Sequence, residues 1–306
     1  MFFRNIQVYR MTAGWSFPTE GLEEALDAQS YAPIGLSQQL SCGWEPVTDG
    51  QFAYKQGQNL LLQFKVESRK VPGSALKAKV KAACEQFQDQ TGRKPGKKER
   101  REISDDTLLS LLPMVLPTAQ QVRVWIDLAN GWVVLNTGSQ SLSDRIMTAL
   151  VKALDKIQLQ TLVLARSAGV VMTEWLAAQE GPIAFAIDRA CELKANDESK
   201  AVVRYTNSTL DTDNLREHIR QGKVCTSLAL TWNDRVSFML TDQFRIKKIK
   251  FLDIIQTERE QNTADEVAVF QSDFAILTGE LAKMLADLVE AFGGEQKSEE
   301  DDDLFT

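Results

Sequence analysis

Residues 223–251 constrain the fold more than any other stretch of the chain. Val224, Thr226, Leu228, Leu230 and Trp232 recur at every second position, Asn233-Asp234 interrupts the run, and Val236, Phe238 and Leu240 resume it. A period of two places such a set on one face of a strand, whereas a helix would scatter it. A third run, "FRIKKIKFLD" at 244–253, follows at hairpin distance. The segment therefore predicts a three-stranded antiparallel meander. In the third run the apolar residues are even-numbered before Lys247-Lys248 and odd-numbered after them. That slip predicts a β-bulge, which would re-aim the lysines. Arg245, Lys247, Lys248 and Lys250 give this strand two readings. They guard a sheet edge against pairing with other chains, or they form one wall of a surface built for an anion.

The rest of the chain alternates between the two periodicities. Strands are expected around Ile6 and Val8, at 51–56 and 59–67 about Gly57, at 122–128, and at 132–135 after an Asn130-Gly131 hairpin signal. Helices are expected after a cap at Thr19 and through "SLSDRIMTALVKALDKI", capped by Ser141 or Ser143. A final helix carries Phe274, Leu277, Leu281, Leu285 and Leu288 as its stripe and stops at Gly293-Gly294. The fold class is α+β, with antiparallel sheets and packed helices.

Residues 72–117 differ from both flanks. Leu76, Val80, Ala83, Cys84 and Phe87 recur at helical spacing, a turn "TGRKPGKKERRE" follows, and a second helical run leads into "LLSLLPMVLP". This predicts a helical hairpin projecting from the body, with a basic tip or flank and an apolar far end. The organisation that results is an N-terminal α+β part (1–71), the hairpin (72–117), a β-hairpin with its helix (118–167), a base with the meander and the last helix (168–294), and an acidic tail (295–306) whose composition predicts disorder.

Charge is unevenly distributed. The 306 residues sum to −7, but Lys65 to Arg101 holds twelve Lys/Arg against four Asp/Glu, and the tail from Glu295 holds six acids and one lysine. Such asymmetry suits a polyanion partner, although a basic helix face is also an ordinary solvated face. Charges more than about 10 Å apart are largely screened at about 0.1 M salt, so a local cationic lining acts despite acids elsewhere. The tail either competes with a polyanion for the basic surface or keeps the chain soluble.

Candidate chemistry is sparse. Cys42, Cys84, Cys191 and Cys225 form no CxxC pair, which fits a reducing compartment and small buried hydrophobes. The single His218 lies at a helix C-terminus, where a partial positive charge is welcome. "GRKPGKK" at 92–98 lacks the spacing of a phosphate-binding loop. The pairs Asp105-Asp106 and Asp211-Asp213 fall at expected helix starts, where acids belong. No catalytic constellation, metal or cofactor is indicated, and nothing selects a nuclease with metal-bound carboxylates. No run approaches the roughly 18 apolar residues of a membrane span, and the N-terminus lacks signal-peptide features, so a cytoplasmic protein is expected.

Several blocks, in order, carry a resemblance: "FFRNIQVYR" near the start, "GWEP" at 43–46, "LLSLLP" at 108–113, "WIDLANG" at 125–131, "TEW" at 173–175, "HIRQGKVCTSLALTW" at 218–232, "KKIKFLD" at 247–253 and "DFAILTGELAKML" at 273–285. Over nearly its whole length the chain resembles the bacterial recombination-associated protein RdgC family. The resemblance implies a non-enzymatic, nucleoid-associated protein that binds double-stranded DNA with little sequence preference. It implies a ring-shaped homodimer around the duplex, closed in part by a projecting finger, that restrains RecA-promoted recombination by competing for DNA. The expected DNA contacts are Lys77, Lys81, Arg93, Lys94, Lys97, Lys98, Arg100 and Arg101 of the hairpin, with Arg245, Lys247, Lys248 and Lys250 of the strand. The expected dimer contacts are Leu111, Leu112, Leu116 and Pro117, unless these leucines tuck back into their own domain, together with Asn207 and Ser208. The last two stand in "RYTNSTLD" at 204–211, where relatives tend to carry lysine, so neutral hydrogen bonding is expected at that gate. Leu116 occupies a position where relatives carry an aromatic residue, so the contact there is expected to be apolar. Two rival readings remain: an oligomeric adaptor that inhibits RecA by direct contact, and a metal-dependent nuclease.

Overall fold

The structure, a computed structural model, describes residues 2–12, 20–154, 157–252 and 265–296. Two antiparallel sheets organise it. The first takes β1 (Gln7–Met11), β2 (Leu40–Glu45), β3 (Ala53–Gln56), β4 (Asn59–Ser68), β5 (Thr118–Asp127), β6 (Trp132–Leu135) and β7 (Leu159–Thr161), in the order β2-β4-β5-β6-β1-β7. β2 and β3 share one edge of β4 end to end, at Gln63 to Ser68 and Asn59 to Leu62. The second sheet runs β12-β11-β10-β8-β9, from β8 (Phe185–Ala195), β9 (Val202–Thr206), β10 (Lys223–Trp232), β11 (Val236–Thr241) and β12 (Ile246–Phe251). The predicted meander is its β10-β11-β12 half, and β8 and β9 extend it.

Helices α1 (Leu22–Asp27) and α4 (Gln140–Ala153) cover one face of the first sheet. Leu142, Ile146 and Leu150 of α4 pack there with Leu60, Leu62, Phe64, Val124 and Ile126. On the opposite face Leu61, Trp125 and Val134 join a second core, which also holds α5 (Ala168–Ala178), the inner face of the second sheet and the last helix, α7 (Glu266–Ala291). All five residues of the predicted α7 stripe are fully buried, each worth about 1.5–3 kcal/mol of transfer free energy. Arg235 grips α7 through a two-pronged contact with Glu280 at 2.8 and 3.0 Å, and Trp232 donates Nε1–H to Asp287 at 2.7 Å. Gly293 and Gly294, at φ 86° and 90°, end the helix as expected.

The hairpin projects as predicted. α2 (Gly73–Thr91) and α3 (Lys97–Leu111) contain no buried residue. They are inserted between β4 and β5, which pair up to Ser68 opposite Thr118. The Gly92–Gly96 turn is therefore the far end, and the apolar run 111–117 is the root. This reverses the expectation of an apolar far end. Leu112 is completely buried at the root, so it belongs to its own chain's packing and not to a free contact surface. Arg69 donates Nη1–H to the carbonyls of Leu112 and Val115 at 3.3 and 3.2 Å and fixes the root to the sheet.

Other expectations are adjusted by local chemistry. Asp127 pairs with Trp132, so the Asn130-Gly131 loop has four residues, and Asp127 Oδ1 accepts from the backbone N–H of Ala129 and Asn130. α4 starts two to four residues earlier than predicted, with Ser139 at its cap position and neither Ser141 nor Ser143 capping. Glu295 and Gln296, assigned by composition to the tail, are tied to the body: Glu295 pairs with Arg10 at 2.9 Å, and Gln296 N–H donates to Val163. Thr19 and residues 297–306 lie outside the described residues.

Candidate nucleic-acid interface

β12 contains the predicted bulge. Met239 pairs with Lys247 and Ser237 with Lys250, leaving one extra residue between them, and Lys248 takes φ 54°. Ile246 and Ile249 are thereby both buried, while Lys248 and Lys250 are exposed. The outer edge of β12 is not bare. Ile6 and Ile246 exchange N–H···O bonds at 2.7 and 3.2 Å, and Ile249 N–H donates to Arg4 O at 2.9 Å. Lys248 N–H donates to Asn5 Oδ1 at 3.2 Å. The N-terminal segment already pairs this edge, so edge protection does not account for the lysines.

Registers across the second sheet lay out its outward face in rows. One row is Arg204, Glu192, Ser227 and Thr241; the next is Ala229, Met239 and Lys247; a third is Ala186, Thr231, Ser237 and Lys250. The middle of the face is made mostly of Ser, Thr and Ala, with Met239 and Glu192 among them, and cations stand at both margins. Four inter-strand spacings separate β9 from β12, about 19 Å. A groove of about 560 Å³ runs over this floor and gathers Lys194, Arg204, Arg245, Lys247 and Lys248 against two carboxylates, Glu192 and Asp242. Among the described residues, Arg245, Lys247, Lys248 and Lys250 have no carboxylate within ion-pair distance. Arg245 instead donates Nη2–H to Gln140 Oε1 at 2.7 Å, linking the groove to the start of α4. Arg204 is paired with Glu192 at 2.5 Å, and this bond is the main reason the Glu192 carboxyl lies below the usual range.

The hairpin cations divide into two groups. Lys81, Lys98 and Arg101 lie 3.9–4.0 Å from Glu85, Glu102 and Asp105 one turn on, and Arg93 clasps Glu99 through both nitrogens at 2.8 and 2.6 Å. That clasp, with the Gly96 N–H, lowers the Glu99 carboxyl to about 2. Lys77, Lys94, Lys97 and Arg100 have no such partner among the described residues. Lys77, Lys81, Lys94 and Arg100 rim a groove of about 770 Å³ between α2 and α3. The structure thus brings Arg245, Lys247 and Lys248 together in one groove and Lys77, Lys81, Lys94 and Arg100 in another, and leaves Lys250, Arg93, Lys97, Lys98 and Arg101 outside both.

Lys194 and Arg204 were not anticipated from sequence. They sit on β8 and β9, where bulges opposite Cys225–Ser227 and Leu228–Leu230 blur the alternation. Of the remaining expected contacts, Leu116 at the hairpin root is 88% exposed, Leu111 and Pro117 are half-buried, and Asn207 is exposed at φ 51° just beyond edge strand β9; Met114 of the same root, not among the expected contacts, is 79% exposed. Ser208 N–H donates to Arg189 O at 3.1 Å. His218 Nδ1 lies 3.2 Å from Lys223 Nζ near the end of α6 (Asp213–Arg220). Asp211 and Asp213 are engaged by Arg216 at 2.6 and 3.8 Å. All four cysteines are free. Cys191 and Cys225 are buried as expected, with burial raising the Cys191 thiol to about 12, whereas Cys42 is exposed and Cys84 half-buried. Among the described residues no group of three or more His, Cys, Asp or Glu could hold a metal ion, and no helix is long and apolar enough to cross a membrane.

These features define an α+β protein with a projecting basic helical hairpin and a sheet face whose cations border a floor of small residues. The chain belongs to the RdgC family: the family described as "Putative exonuclease, RdgC" matches residues 1–295. It is similar to the recombination-associated protein RdgC of Janthinobacterium sp. (strain Marseille), 39% identical over 96% of this chain and 99% of the relative. The protein of that name from Cupriavidus pinatubonensis is 38% identical over 97% and 100%. That from Bordetella pertussis is 37% identical over 97% and 100%. The family is recombination-associated by the names its members carry.

Proposed function

We propose that this protein binds double-stranded DNA with little sequence preference, acting as a nucleoid-associated homodimeric ring that restrains RecA-promoted recombination by competing for DNA. The observation that carries the reading is the outward face of the second sheet. Arg245, Lys247, Lys248 and Lys250, unpaired among the described residues, border one margin of a floor made mostly of Ser, Thr and Ala, and Arg204, paired with Glu192, stands at the other. The two margins are about 19 Å apart, a spacing suited to the two phosphate strands of one duplex. Small side chains let a phosphate backbone approach, and Ser, Thr and Ala have little reach to read base edges. The exposed apolar root at Met114 and Leu116 supports a self-contact, since large apolar side chains left in solvent are costly unless covered. Asn207 and Ser208 beside edge strand β9 are the proposed second contact.

The test is the affinity for a random-sequence duplex from about 50 to 200 mM salt. A clamp neutralising roughly 6–10 phosphates loses about 10³–10⁵ in affinity over that range. No binding at low salt would refute the reading and favour an adaptor that inhibits RecA even with DNA saturated. The family's description supports a second reading, nuclease activity. The same duplex incubated with magnesium or manganese separates the two: progressive loss of strands means hydrolysis, and intact strands that remain bound mean a clamp.

A further inference from the structure

Of the groove's two acids, one is paired with a cation of the groove itself. Glu192 is on the outward face of β8, directly opposite Arg204 of β9 and Ser227 of β10. Its carboxylate accepts from Arg204 Nε at 2.5 Å through one oxygen and from Thr226 Oγ1 at 2.9 Å through the other. Its side chain is 27% exposed, while that of Arg204 is 72% exposed. The carboxylate is therefore fixed in the floor, and the guanidinium reaches back to it from the rim. A carboxylate held by an arginine and a hydroxyl presents the same acceptor chemistry as a phosphate oxygen.

We propose that Glu192 is an internal stand-in for phosphate on which Arg204 is parked, and that it limits how tightly the groove grips a duplex. The inference rests on the DNA-binding reading and assigns it a specific limiter. An ion pair whose arginine is largely in solvent adds little to stability, so holding Arg204 contributes little to the fold. Its consequence lies in binding: the pair is neutral, and one protomer's groove meets DNA with one cation fewer than its sequence contains. Each phosphate contact adds to the grip in proportion to counterion release, so a cation held internally caps that grip.

The experiment is a two-residue cycle read by the slope of log affinity against log salt on a random-sequence duplex. Glu192→Gln keeps an acceptor for Thr226 and frees Arg204. It is expected to tighten binding roughly three- to tenfold at about 50 mM salt and to steepen the slope by about 0.9 per protomer. Arg204→Gln alone is expected to leave the slope unchanged, and E192Q/R204Q to return it to the parental value. If R204Q makes the slope shallower by about 0.9 and E192Q leaves it unchanged, Arg204 already holds phosphate and the proposal fails. If the parental protein shows no salt-dependent binding, the DNA reading itself has failed, a result distinguishable from the first. R204Q changes an exposed side chain, so the cycle still decides the matter if E192Q does not fold.

Discussion

Lys248 shows how a single residue can be spent on direction and not on stability. At φ 54° its backbone lies in the left-handed region, which costs a side chain other than Gly or Asn about 1–2 kcal/mol. Glycine or asparagine would be at ease there, yet the position is a lysine with its head in solvent. Lys248→Gly is expected to keep the bulge, change stability by no more than about 1 kcal/mol in either direction, and make the salt slope shallower by about 0.9 per protomer. Urea unfolding and the duplex salt series check the two halves. A large stability loss with an unchanged slope would make the lysine structural. The bulge itself was legible, because buried residues must stay on one face and the parity of Ile246, Ile249 and Phe251 changes across it. The partners of each cation were not. Whether Arg204 meets Glu192 depends on the β8–β9 register, which joins residues 12 apart.

At the scale of elements, the hairpin's existence followed from helical spacing between two strand patterns, but its orientation did not. Only the pairing of Ser68 with Thr118 reveals that Leu111, Leu112 and Leu116 lie at the root and Lys94, Lys97 and Lys98 near the tip. The same fact sorts residues that look alike in sequence. Leu112→Ala is expected to cost about 2–5 kcal/mol, as for a fully buried leucine. Met114→Asp with Leu116→Asp should leave thermal stability within about 0.5 kcal/mol per site, as exposed positions do, and reduce self-association in sedimentation equilibrium. Unchanged association would remove the root from the dimer contact. The tip has its own test. The folded Glu99 carboxyl is depressed to about 2, chiefly by Arg93, so the clasp's contribution is present above the ordinary glutamate range and is lost as pH falls through about 2. An NMR titration should place the Glu99 midpoint there, and Arg93→Ala should return it toward 4.5.

For the whole molecule, a net charge of −7 and the proposed DNA-binding role are compatible because the charge is sorted in space. The groove on the second sheet collects five cations against two acids, and one of those acids neutralises one of the cations. Two such grooves facing each other across a dimer would surround a duplex with positive charge, while the acidic excess elsewhere opposes non-specific aggregation on polyanions. An open surface and a closed ring make different predictions for the same groove. Salt weakens both, but only a ring must open or slide off an end. Dissociation from a closed circular duplex is therefore expected to be several times slower than from a linear fragment of equal length under the same high-salt challenge. Met114→Asp/Leu116→Asp should abolish that difference before it abolishes binding. Equal rates for circle and line in the parental protein would mean that the two grooves act as an open face. In that case the hairpin would serve contact with another protein and not closure around DNA.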